Sequence, residues 1–163
     1  MSRPVFKIGG MKIRRFAPGD EPALLAVFYS AVHQTAARDY SPAQLAAWAP
    51  DYIDGARWAE HMRALRPFVA EQGGQIVGYA DVQPNGYIDH FFVCGRHARQ
   101  GIGARLLQRI HAQAQTLGLT ELTADVSLTA QPFFAHHGFE LVERREVVRD
   151  GVTIPNALMR KRL

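Results

Sequence analysis

A single cysteine, Cys94, serves the whole chain. No intramolecular disulfide can form, and a reducing, cytoplasmic setting is the expectation. No apolar run approaches the ~20 residues that span a bilayer, so no membrane partner is expected. The N-terminus lacks the apolar core and small-residue cleavage site of a secretion signal. Lysine and arginine outnumber the acids, 19 to 15, which fits a polyanionic ligand. Yet these charges form no basic stripe interleaved with aromatics, so nucleic acid is not expected as a partner. His33, His61, His97, His111, His136 and His137 have no metal-ligand spacing with Cys94, and no metal is expected. Repeats, low-complexity tracts and linkers are missing too. What is present, 47% hydrophobic and 21% charged among 163 residues, is the composition of a globular domain long enough to bury one core. Residues 11–163 read as that domain. Residues 1–10 read as an N-terminal extension, because Met11-Lys-Ile-Arg-Arg would make a natural start.

The most informative stretch runs from Gly86-Tyr-Ile-Asp-His-Phe-Phe-Val93 into Arg99-Gln-Gly-Ile-Gly-Ala-Arg105. An apolar strand passes through a short basic loop into the glycine-rich start of an amphipathic helix. The first amides of a helix have no partners and sit at the positive end of its dipole, so such a start is an anion site. Gly101 and Gly103 would let a phosphate approach those amides, with Arg96, Arg99 and Arg105 adding positive charge. A Gly-x-Gly pair alone is a weak signal; following a strand and opening a basic helix strengthens it.

Around this stretch the chain divides into short elements. Lys12 to Phe16 has a strand pattern, broken by Pro18-Gly19-Asp20. Asp20 is the expected N-cap of a helix with Leu24, Leu25, Phe28 and Val32 on one face. Ser41-Pro42 opens a helix through Trp48, and another covers Gly55 to Leu65. Strands follow at Phe68 to Glu71 and Ile76 to Val82, and Asn85-Gly86 turns the chain into a third, Tyr87 to Val93. The helix from Gly101 carries Ile102, Leu106, Leu107, Ile110, Ala114 and Leu117 on one face until Gly118 stops it. A strand at Glu121 to Val126 then completes a parallel, right-handed crossover. After a short helix from Pro132 to His137, two strands flank Asp150-Gly151; Pro155 makes the last an edge or bulged strand.

This order of elements resembles the GNAT superfamily of acyl-CoA-dependent N-acetyltransferases. Val93, Gly101-Ile102-Gly103 and Phe133-Phe134-Ala-His-His-Gly138-Phe139 match its motifs. Ala98 stands where arginine or glutamine is usual, and Arg99 where a loop glycine is common. The resemblance implies a mixed α+β fold: a central, mostly antiparallel sheet of six to seven strands with one parallel strand–helix–strand unit, flanked by helices. It also implies acetyl-CoA as co-substrate, with its thioester beside Phe91, Phe92 and Val93. The pyrophosphate would lie on the loop Arg99, Gln100, Gly101, Ile102, Gly103, Ala104 and Arg105. Alternation places Tyr87, Asp89, Phe91 and Val93 on one face and Ile88, His90 and Phe92 on the other. The family's substrate cleft is on the first face, which makes Asp89 the candidate catalytic base and points His90 away.

The family's usual tyrosine acid falls at Phe134, which cannot donate a proton and is left with a cofactor-lining role. Ser127, Thr129 and His137 are weaker substitutes. Tyr40, Trp48 and Tyr87 are the candidate acceptor-binding residues. The reaction expected is transfer of an acetyl group to the primary amine of a small molecule. Acetylation of a protein amine and a non-catalytic acyl-CoA sensor are the alternatives. The oligomeric state is left open, a homodimer included.

Overall fold

In the computed structural model the described residues are 10–163, so all but Gly10 of the expected extension lies outside them. Eight strands form two four-stranded sheets. The first has the order β1 (Met11–Arg15), β2 (Phe68–Gln72), β3 (Gln75–Ala80) and β5 (Phe91–Val93), antiparallel throughout. The second runs β4 (Tyr87–Ile88), β6 (Glu121–Ser127), β8 (Val152–Arg162) and β7 (Glu140–Arg149), parallel only between β4 and β6. The mixed α+β class and the parallel crossover are as expected. The strand anticipated over Tyr87 to Val93 is divided: its first half belongs to one sheet and its second half to the other. Between them the sheets part, and Asp89 and His90 bridge the split.

Helix α4 (Ile102–Leu117) packs its apolar face on this framework, burying Ile102, Leu106, Leu107, Ile110 and Ala114 with Phe68, Val77, Leu122 and Met159. On the opposite side, α1 (Glu21–Ser30) and α3 (Gly55–Leu65) cover a second core of Leu24, Val27, Phe28, Trp58, Met62, Val69 and Tyr79. Asp20 precedes α1, but its carboxylate makes no cap; it accepts from both terminal guanidinium nitrogens of Arg14 and from the amide of Ala17 instead. Beyond Ser30 the helix loosens into a π-turn (Ala31–Thr35) and a 3₁₀ turn (Ala36–Arg38). The next helix, α2 (Pro42–Trp48), opens with a reciprocal Ser41–Gln44 capping box. The short α5 (Gln131–His136) seats Phe134 in the α4 core.

Two sequence features resolve simply. Gly86 has φ +86° and lies so close to β6 that a Cβ would stand 2.4 Å from Glu121 O; no other residue fits this turn. Pro155 sits inside β8, whose pairing with β6 begins only at Asn156. At Pro155 the strand has β7 alone as neighbour, so the missing N–H breaks no ladder.

Candidate active site

Two clefts open where the sheets part. The first, about 360 Å³, lies between β5 and β6 above the start of α4. Its walls are Phe91, Phe92 and Val93, then Arg99, Gly101, Ile102, Gly103 and Ala104, and opposite them Ser127, Thr129, Phe133 and Phe134. Helix α4 begins without a side-chain cap, and its first i→i−4 bond runs from Arg105 N–H to Gly101 O. The amides of Ile102, Gly103 and Ala104 therefore precede the ladder, at the positive end of a four-turn helix. Gly101 has φ +80° with open space beside it, and Arg99 holds the left-handed conformation, φ 64°, that suits the glycine common at this place. At Gly103 the expected reason changes. A Cβ there would meet the Phe133 ring at 3.1 Å, so the missing side chain makes room for an aromatic, not for a phosphate.

The strand wall offers a second set of donors. Cys94 N–H bonds Val77 O, and Asp81 N–H bonds His90 O, so His90, Phe92 and Cys94 direct their backbone groups at β3. By alternation the amides of Phe91 and Val93 point away from β3, into the cleft. His97 Nδ1 and Thr129 Oγ1 are buried on the same walls without a partner among the described residues. Amides at a helix start, edge-strand amides and orphaned polar atoms along one apolar groove suit a long, phosphorylated thioester such as acetyl-CoA. Gln100 and Arg105 are not among the walls. Gln100 is exposed, and Arg105 reaches across to Met11 O at 3.3 Å.

The second cleft, about 580 Å³, lies on the other side of β5 and meets the first at Trp48, Phe92 and Ser127, which line both. Phe28, Tyr40 and Trp58 supply aromatic walls; His61, Tyr87, Asp89, His90, Asp125 and Arg149 supply polar ones. The two-face alternation expected along Tyr87 to Val93 fails here. Tyr87, Asp89, His90 and Phe92 all line this cleft, whereas Ile88, Phe91 and Val93 pack toward α4. The cause is Asp81, only 1% exposed, whose Oδ1 accepts the N–H of Asp89 at 3.0 Å and of His90 at 2.6 Å. One oxygen gathering two successive amides turns both side chains to one side. His90, expected to point away, therefore joins Asp89 at the cleft.

Burial raises the Asp81 carboxyl to about 6, against the pull of its bonds to His90, Gln83 and Asp89. Burial also pushes His90 down to about 4, so its imidazole is neutral near neutral pH. Its Nδ1 lies 3.0 Å from the hydroxyl of fully buried Tyr79, and its Nε2 lies 3.3 Å from His61 Nε2. The Asp89 carboxylate is open to the cleft, 3.7 Å from His61 Nε2. Tyr87 bonds Asp125 at 2.9 Å; burial, then that bond, raise its phenol. Tyr40 lines the cleft, but its hydroxyl is committed, donating to Pro155 O at 2.6 Å and accepting Leu128 N–H at 2.9 Å. Asp81 and His61 were not among the sequence candidates. A lone carboxylate at the end of an otherwise apolar strand was the available signal for Asp81; nothing local marks His61.

An apolar groove between parted strands, with free amides at a helix start, beside a cleft carrying a carboxylate, is an arrangement that suits an acyl-CoA-dependent acyltransferase. The profile of the acetyltransferase (GNAT) domain matches residues 36–163. The uncharacterized N-acetyltransferase YafP of Escherichia coli K12 is 37% identical over 153 residues, covering 94% of this chain and 97% of its own. Among solved structures, the GCN5-related N-acetyltransferase of Rhodopseudomonas palustris superposes with a TM-score of 0.89 at 30% identity, covering 93% and 95% of the two chains. YncA of Salmonella typhimurium, solved with acetyl-CoA, gives 0.68 at 22% identity over 94% of each, a likeness of fold. The chain belongs to the GNAT acetyltransferase family. It is an N-acetyltransferase, and its co-substrate is acetyl-CoA.

Proposed function

We propose that this enzyme acetylates the primary amine of a small molecule by direct attack on the thioester. The observation that carries the reading is the meeting of the two clefts at Trp48, Phe92 and Ser127, next to the Asp89–His90 break, where one groove suits acetyl-CoA and the other is a walled pocket. A cavity of about 580 Å³ lined by Phe28, Tyr40, Trp48, Trp58 and Phe92 has the size and lining of a small-molecule site. Cytoplasmic placement and residues 11–163 as one catalytic domain belong to the same reading.

In this reading Ile102, Gly103 and Ala104 hold the pyrophosphate through their amides, and Val93 aligns the pantetheine arm. The incoming ammonium has no lone pair, so a proton must leave before the nitrogen can attack. Asp89 receives it, directly or through a water, and its open position lets the proton pass to solvent. The amide of Phe91, first past the break, is placed to stabilise the negative charge that develops on the carbonyl oxygen. The C–N bond forms, the nitrogen gives up its second proton and the C–S bond breaks; water carries that proton to the departing thiolate, since Phe134 has no proton to give. Trp48 and Tyr87 form walls for the acceptor, and Tyr40 braces the pocket through its two backbone bonds.

The test is a panel of small amines, amino compounds and peptides incubated with acetyl-CoA, read as free thiol released and as a gain of one acetyl group by mass spectrometry. Turnover on a small amine supports the reading. Turnover confined to peptides would overturn the acceptor class, and acetyl-CoA binding with no turnover on any amine would favour the sensor alternative.

A further inference from the structure

Three side chains at the rim of the acceptor cleft converge more closely than that chemistry needs. His61 comes from α3, while Asp89 and His90 come from the break between β4 and β5. One donor atom from each lies within 4.8 Å of the others. The two Nε2 atoms are 3.3 Å apart, and Asp89 Oδ2 is 3.7 Å from His61 Nε2. Two ligands held at ~2.0–2.1 Å by one tetrahedral zinc ion stand about 3.3–3.4 Å apart. The imidazole pair already has that separation, and the exposed carboxylate needs only a small side-chain rotation to match it.

The surroundings are those of a prepared ligand set. Metal-binding imidazoles commonly engage their second nitrogen with a fixed polar partner, which sets ring orientation and tautomer. His90 does so: its Nδ1 meets the Tyr79 hydroxyl at 3.0 Å, and its ring is wedged among Phe28, Trp58 and Phe92. Asp81 fixes the backbone of both Asp89 and His90 from beneath. His61 is carried on a helix anchored by buried Trp58 and Met62. All three residues line the second cleft.

We infer that His61, Asp89 and His90 bind one divalent transition-metal ion of the zinc class, and that the bound ion closes the acceptor site. Two imidazoles with one carboxylate select zinc, cobalt, nickel or copper over magnesium and calcium, which take oxygen donors. A carboxylate bonded to the ion has its lone pair engaged and cannot receive the acceptor's proton, and the added positive charge repels an ammonium group. The ion therefore opposes the amine and leaves the acetyl-CoA groove untouched. This second half rests on the proposed role of Asp89, whereas binding of the ion does not.

The experiment titrates Zn²⁺ into the full chain, stripped with chelator, by calorimetry, with Co²⁺ absorption reporting the coordination geometry. The expected result is one ion per chain and a tetrahedral cobalt spectrum. Affinity should fall at least about tenfold in His61→Ala and in Asp89→Asn, with a smaller loss in Tyr79→Phe, the scale of lost ligands and their supports. His33→Ala and His136→Ala should bind as the wild type does. Binding unchanged in His61→Ala, or no single-ion site in the wild type, overturns the inference. In turnover assays Zn²⁺ should raise the KM for the amine and leave that for acetyl-CoA unaltered. One ion bound in calorimetry with kinetics unchanged would overturn closure and, with it, the role given to Asp89.

Discussion

Replacing Asp81 tests the device that shapes the second cleft. Its carboxylate is 1% exposed and receives the amides of Asp89 and His90 on Oδ1, with the Gln83 side-chain amide on Oδ2. Its folded-state pKa of about 6 stands above its ordinary value of 3.8. The folded protein thus holds this proton more tightly than the unfolded chain does, and stability falls as pH rises between those values. A gap of about two units corresponds to roughly 3 kcal/mol of destabilisation, complete at about pH 8 and about half expressed at about pH 5. Asp81→Asn keeps an oxygen for both backbone amides and removes the charge; Gln83 need only turn its amide to present its oxygen. The variant should therefore be more stable than wild type by up to about 3 kcal/mol at about pH 8, with the gain halved at about pH 5. Asp81→Ala leaves two buried amides without an acceptor, at about 1–3 kcal/mol each, and should be less stable than the asparagine variant by roughly 2–6 kcal/mol. Urea unfolding across this pH range, in chelator, measures both. Acetyl transfer should persist within a few fold in the asparagine variant and fall about a hundredfold in the alanine variant, because the break then relaxes. An asparagine variant no more stable than wild type at any pH would refute the burial argument, and an active alanine variant would refute the positioning argument.

Asp89→Asn should lower kcat/KM by about a hundredfold or more while calorimetry shows acetyl-CoA affinity unmoved; survival of turnover within about twofold would make the carboxylate structural. Phe134→Tyr should change kcat by less than about tenfold, under ~1.4 kcal/mol of barrier, if amine attack rather than thiolate departure limits the rate. Gly103→Val should push on the Phe133 ring and lower both thermal stability, by about 1–3 kcal/mol, and acetyl-CoA affinity; loss of affinity alone would mean that the ring gives way freely. Arg14 holds the Asp20 carboxyl below its ordinary value, so this pair stabilises the fold above the unfolded pKa and less as pH falls through the folded one. Asp20→Asn should accordingly be less stable by about 1–2 kcal/mol near neutrality, with the deficit fading below about pH 4.

Much of the scaffold was legible because its signals are local. The residues Ile102, Leu106, Leu107, Ile110 and Ala114 repeat at helical spacing and all are buried. Gly86 and Gly118 mark a turn and a helix end by positive φ, and Ser41-Pro42 marks a helix start by its side-chain cap. The wall formed by Arg99, Gly101, Ile102, Gly103 and Ala104 was legible for the same reason, since one loop and one helix start supply it. The second cleft was legible only in part: Tyr40, Trp48, Tyr87 and Asp89 line it, but the strand break that shapes it left no local signal. Tyr87 to Val93 reads as one uninterrupted strand, and the group that breaks it, Asp81, belongs to the preceding hairpin arm. His61 meets His90 across 29 positions of sequence, through the packing of α3 on the sheet. Pairings of that kind leave no trace in periodicity. Asp20 shows the opposite failure: a correct cap signal was outcompeted by an arginine from the neighbouring strand.

A crystal structure of the chain soaked with acetyl-CoA decides where the co-substrate lies. Phosphate density is expected within hydrogen-bond distance of the Ile102, Gly103 and Ala104 amides. The pantetheine arm should run along Phe91 and Val93, with the thioester carbonyl at the Asp89–His90 break, facing the second cleft. Density for the cofactor outside the β5–β6 gap, or a thioester lying away from Phe91 and Asp89, would contradict this placement.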